Sequence, residues 1–70
     1  MTKRQEELLA AMDAFMKDTG LSVEREVMED MLSEGLSPKE VSFYMRWHYS
    51  VETIEALAEK MRQVGRLKAI

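Results

Sequence analysis

Residues 50–70, SVETIEALAEKMRQVGRLKAI, decide how the rest of the chain is read. Apolar side chains recur at Val51, Ile54, Leu57, Ala58, Met61 and Val64, the spacing of a helix with one buried face. Ser50 is a natural N-cap, and Glu52 suits the positive end of the helix dipole. Gly65 stops the helix, because glycine takes the left-handed C-terminal conformation without steric penalty. Beyond it Leu67 and Ile70 predict a rudimentary strand over 66–70.

Three further amphipathic segments precede this one. Thr2 caps a first helix that runs to about Asp18, carries Leu8, Leu9, Met12, Phe15 and Met16 on its apolar face, and ends at Gly20. Ser22 is placed to cap a second, with Val23, Val27, Met28, Met31 and Leu32, ended by Gly35. The sharpest local signal is Ser37-Pro38-Lys39-Glu40, a capping box with proline at the first helical position. It opens an aromatic helix over 38–49 that carries Val41, Phe43, Tyr44, Met45 and Trp47. On one helix the neighbours Phe43 and Tyr44 point to different sides.

No strong breaker stands between Pro38 and Gly65, and Tyr44, Trp47, Val51, Ile54, Ala58 and Met61 follow a 3, 4, 3, 4, 3 spacing, a heptad seam. One continuous helix over 38–64 would suit a coiled-coil or hairpin dimer. The Ser50 cap favours a break at 48–50. The expected fold is therefore all-α, a small helix-turn-helix-like bundle of four short helices in a single helical domain over 1–70.

Composition excludes several functions. The chain has 70 residues, no cysteine and one histidine, His48. Neither a disulfide, a thiolate zinc site nor the common nucleophile-plus-base pairs can be built from that set. No apolar run approaches the ~20 residues of a membrane span, and MTKRQEE lacks the apolar core of a signal peptide. The expectation is a cytoplasmic protein that is no enzyme, with no cofactor, no metal and no small-molecule substrate. Net charge is −3, with Lys3, Arg4, Lys17 and Arg25 outnumbered by acids in the first half and bases in excess in the second. An acidic half and a mildly basic half can present one side to an anionic partner.

Thr2-Lys3-Arg4-Gln5-Glu6-Glu7, the helix leading to Thr19-Gly20, and then Arg25 resemble the opening of the LexA-type repressor DNA-binding domain, and Ser50–Ile70 is similar to its recognition helix and first wing strand. Residues 33–49 are longer than that family's turn, and no second wing strand follows. Gly35-Leu36-Ser37-Pro38-Lys39-Glu40-Val41 with Ser50-Val51-Glu52-Thr53-Ile54 resembles response-regulator DNA-binding helices, with a turn about two residues too long. Residues 23–46 also resemble the helical hairpin of SinI-type antirepressors, a family that binds protein.

Two functions follow. In the first the chain is a small transcriptional regulator. Ser50, Glu52, Thr53 and Ala56 face the major groove while Arg46, Lys60, Arg66 and Lys68 hold phosphates. Glu52, Glu55 and Glu59 oppose that reading and equally suit a plain solvated face with Lys60 and Arg62. In the alternative the chain is a protein-binding antirepressor or inhibitor of the phage or mobile-element type. It acts through Phe43, Tyr44, Trp47, His48 and Tyr49, a cluster whose Tyr and Trp are types enriched at binding hot spots. The ordinary reading of those rings is core, with His48 hydrogen-bonded at its edge. Seven methionines, most at helical core spacing, are read as core. So small a chain, with that many large side chains over 41–54, is expected to pair as a homodimer.

Overall fold

The computed structural model describes residues 1–68 and builds them as α1 (Lys3–Thr19), α2 (Val23–Ser33), α3 (Pro38–Tyr44) and α4 (Val51–Gln63), with no strand among the described residues. The architecture is the expected small all-α bundle. Arg66–Lys68 are irregular rather than extended, and the remainder of the expected strand lies outside the described residues.

Local chemistry sets most helix ends. Thr2 and Ser37 each form a reciprocal capping box, with Gln5 and Glu40 respectively. Ser50 caps α4 by accepting from the Thr53 N–H at 3.1 Å. Ser22 does not cap α2; it is already in the right-handed helical conformation, because backbone turns from Leu21 to Glu24 and from Ser22 to Arg25 start the helix without a side chain.

All four helices end the same way. The N–H that follows the left-handed residue reaches back five residues: Leu21 to Met16 (2.9 Å), Leu36 to Met31 (3.1 Å), Trp47 to Ser42 (2.9 Å) and Arg66 to Met61 (2.8 Å). Three of these ends place glycine in the left-handed position, Gly20, Gly35 and Gly65. At the fourth the position is held by Arg46 (φ 56°), and Trp47 follows it into the same region (φ 63°). Two adjacent non-glycine residues there carry strain of about 1 kcal/mol or more each. The aromatic helix thus ends at Tyr44, not at 49. Arg46→Gly is expected to stabilise the fold by about 0.5–1 kcal/mol, since glycine relieves more strain than its extra unfolded-state entropy costs. Thermal denaturation measures this as a rise of a few degrees in Tm.

α4 lies at the centre, packed by α1, α3 and α2. The core gathers Leu9, Met12 and Met16 from α1, Met28 and Leu32 from α2, Val41 from α3, Tyr49 from the α3–α4 turn, and Ile54, Ala56, Leu57, Ala58 and Met61 from α4. Three neighbours around one helix explain why Thr53 and Ala56 are buried along with Ile54, Leu57, Ala58 and Met61; of the expected stripe Val51 is half-buried and Val64 exposed. Ion pairs join α1 to α4, α2 to α1, and the segment after α4 to α2. Arg4 holds Glu52 at 2.9 Å, Arg25 holds Asp13 at 2.6 Å, and Glu29, 8% exposed, accepts from Arg66 at 3.1 Å.

Candidate functional site

α3 and the turn after it build an exposed aromatic platform. Phe43, Tyr44 and Trp47 are 61%, 64% and 60% exposed. Phe43 meets Tyr44 edge-to-face with ring centroids 5.7 Å apart and Trp47 likewise at 6.1 Å. On a regular helix Phe43 and Trp47, four residues apart, share a face. The left-handed pair at Arg46–Trp47 ends the helix between them, and the indole still meets Phe43. Edge-to-face packing fixes the rings against one another and leaves much of their surface open to a partner.

The platform continues in two shallow concavities that share Tyr44. One is lined by Lys39, Glu40, Phe43, Tyr44 and Trp47, the other by Glu24, Val27, Tyr44, Met45, Arg46 and His48. The two carboxylates on this border are engaged inside the chain. Glu40 accepts from the Ser37 N–H at 2.9 Å, and Glu24 accepts from the Tyr49 hydroxyl at 2.9 Å. The backbone hydrogen bond from Ser37 holds the Glu40 carboxyl below its ordinary range. Lys39 and Arg46 form no ion pair among the described residues. The platform is apolar at its centre with two free cations at its rim.

Buried groups beneath it hold the turn. Ser42, fully buried, donates its hydroxyl to the Tyr49 carbonyl at 2.7 Å. Tyr49, 4% exposed, meets Phe15 edge-to-face at 6.3 Å. Tyr49 was expected on the binding surface; it is instead the plug that anchors the turn in the core. Burial, with help from the Glu24 carboxylate, pushes its hydroxyl pKa up to about 12 from 10. A group whose pKa is raised on folding stabilises fully below its unfolded value and loses that contribution as pH rises through the folded one. Stability is therefore expected to fall between pH 10 and 12, and Tyr49→Phe to remove that part of the fall, as read by urea denaturation across the range.

The expected DNA-facing residues do not form a continuous surface. Thr53 is 9% exposed and shares a 2.9 Å hydroxyl contact with Ser50, while Ala56 is wholly buried. Glu52 pairs with Arg4, which holds its carboxyl below the ordinary range, and Arg66 pairs with Glu29. Lys60 and Lys68 are exposed, and Arg46 lies away on the platform turn. The open face of α4 carries Glu52, Glu55 and Lys60, with Glu59 half-buried and engaged by Arg62 at 3.0 Å. His48 is exposed rather than hydrogen-bonded at the core edge.

Lys39, Val27 and Met45 were not singled out as surface residues from the sequence. The signal for Val27 lay in the apolar stripe of α2, which is too wide for one contact: Met28 and Leu32 fill the core while Val23 and Val27 remain exposed. Among the described residues no three His, Asp or Glu side chains converge as a metal site, and no helix is long and apolar enough to cross a membrane. No family model matches the chain, and neither a curated protein nor a solved structure matches it, so the platform's own chemistry carries the functional reading.

Proposed function

We propose that this protein is a regulator that works by binding another protein, with Phe43, Tyr44 and Trp47 as its docking surface. One observation carries the reading: three large rings, packed on one another, stand about 60% exposed while Tyr49, two residues beyond them, is buried. Contiguous exposed aromatic surface on a small domain marks an interaction site, and Trp, Tyr and Arg are the residue types that dominate binding energy. Tyr44, Arg46 and Trp47 are all present here. The strain at Arg46 and Trp47 supports the same view, because strained backbone clusters at working surfaces. The free cations Lys39 and Arg46 favour a partner whose apolar segment is flanked by acidic residues.

DNA recognition through α4 has less support. Its buried Thr53 and Ala56 cannot reach base edges, and Glu52, Glu55 and Glu59 would stand against phosphates. Trp47 is the only tryptophan, so the platform carries its own reporter. Peptides selected from a display library against the whole chain are expected to be apolar with acidic flanks and to shift Trp47 emission to the blue. In a low-salt mobility-shift assay, duplex DNA is expected to run unretarded at micromolar protein. Retardation that weakens on Lys60→Ala and survives Trp47→Ala would overturn the proposal in favour of DNA.

A further inference from the structure

The α3–α4 turn is the one helix end in this fold closed without glycine, and it interrupts a segment that holds no glycine or proline breaker. Residues 38–64 contain no internal glycine or proline beyond Pro38 at the first helical position. Their heptad seam runs through the turn, from Tyr44 and Trp47 on its near side to Val51, Ile54, Ala58 and Met61 on its far side. The left-handed conformations of Arg46 and Trp47 are what keep the two halves apart. Straightening residues 45–50 into helix relieves both, and it removes α4 from its own core. A core that has lost α4 fits only one segment equally well, the α4 of a second copy.

We infer that this chain forms a domain-swapped dimer in which α3 and α4 become one continuous helix and each copy's α4 fills the other's core. The core positions of α4 find the same partners in the other chain, as in any swap. Near the dyad the extended helices bring Tyr44 and Trp47, heptad positions now exposed, against their counterparts, so the surface that covers the platform is a second copy of itself. Four contacts oppose the opening. They are the buried Tyr49 ring, its hydroxyl bond to Glu24, the Ser42 hydroxyl bond to the Tyr49 carbonyl, and the Ser50 cap on the Thr53 N–H. The closed monomer therefore persists when dilute, and the swap is populated at high concentration or after refolding from denaturant. The inference does not rest on the proposed function, although a swapped dimer would hide the docking surface.

The Arg4–Glu52 pair, 2.9 Å apart and joining α1 to α4, gives the test. The chain has no cysteine, so Arg4→Cys and Glu52→Cys introduce single thiols. The two single variants, unfolded together, refolded at high concentration and treated with a short bis-maleimide, are expected to give a covalent dimer joining one of each. A dimer made by stacking platforms side by side keeps this pair within each chain and gives no such product. The double variant, dilute, is expected to close within one chain, which shows that the linker spans the pair. Arg46→Gly favours the left-handed turn and disfavours the helix, so it should lower the dimer fraction about tenfold. Light scattering and circular dichroism on the unmodified chain give a second reading: the dimer should show more helix per chain than the monomer. No mixed product where the double variant closes, a dimer without added helix, or a strictly monomeric chain after concentrated refolding would each overturn the inference.

Discussion

Trp47→Ala is expected to weaken the complex with a platform-selected partner by at least about 2 kcal/mol, roughly 30-fold, while leaving the fold standing. The indole is 60% exposed and touches Phe43 edge-to-face, so truncating it opens no core cavity. Alanine feels much the same strain as tryptophan at φ 63°, so the turn is neither freed nor further loaded. Stability should change by no more than about 0.5 kcal/mol, the usual range for an exposed site. Tyr44→Ala should behave alike, because its ring lines both concavities of the surface. Calorimetric titration with a selected peptide, together with thermal denaturation of each variant, separates lost binding from lost structure. A parallel loss of Tm and affinity would mean that these rings serve the fold.

Tyr49→Ala has the opposite signature. This ring is 4% exposed, packs on Phe15, donates to Glu24 and fixes the turn through its carbonyl. Truncation of a buried aromatic costs about 3–5 kcal/mol. Small domains hold little more than that in total, so the variant is expected to be largely unfolded at room temperature. Tyr49→Phe keeps the ring and loses only the hydroxyl bond to the Glu24 carboxylate, at a cost of about 1.5–3 kcal/mol. Urea denaturation followed by circular dichroism should rank the wild type above Tyr49→Phe, and both above Tyr49→Ala. A folded Tyr49→Ala with near-native stability would remove the plug from its place in the fold.

These two residues stand two positions apart, and they show where the sequence was legible. Helix starts could be read because their causes are local: a serine or threonine oxygen and an N–H three residues on, at Thr2, Ser37 and Ser50. Helix ends at Gly20, Gly35 and Gly65 are equally local, set by a residue without a Cβ. The end of α3 is not. Nothing in Met45-Arg46-Trp47-His48 breaks a helix, and the left-handed turn there goes with Tyr49 entering the core and Ser42 holding its carbonyl. That long-range cause also hid part of the site: Phe43 and Trp47, four residues apart, share a face in helical projection and meet at 6.1 Å, but nothing local shows that Tyr49 leaves them for the core. The burial of Thr53 and Ala56 was hidden in a similar way, since a periodic stripe shows one buried face and α4 is enclosed by three neighbours.

Use of the platform rather than α4 is tested most directly by one comparison. The affinity of a display-selected peptide is measured by calorimetry for the wild type, Trp47→Ala, Tyr44→Ala and Lys60→Ala. Losses of roughly 30-fold or more are expected for the two platform variants, with Lys60→Ala within about twofold of wild type. Undiminished binding by Trp47→Ala and Tyr44→Ala, together with a large loss in Lys60→Ala, would contradict a docking surface on α3 and return the working face of this protein to α4.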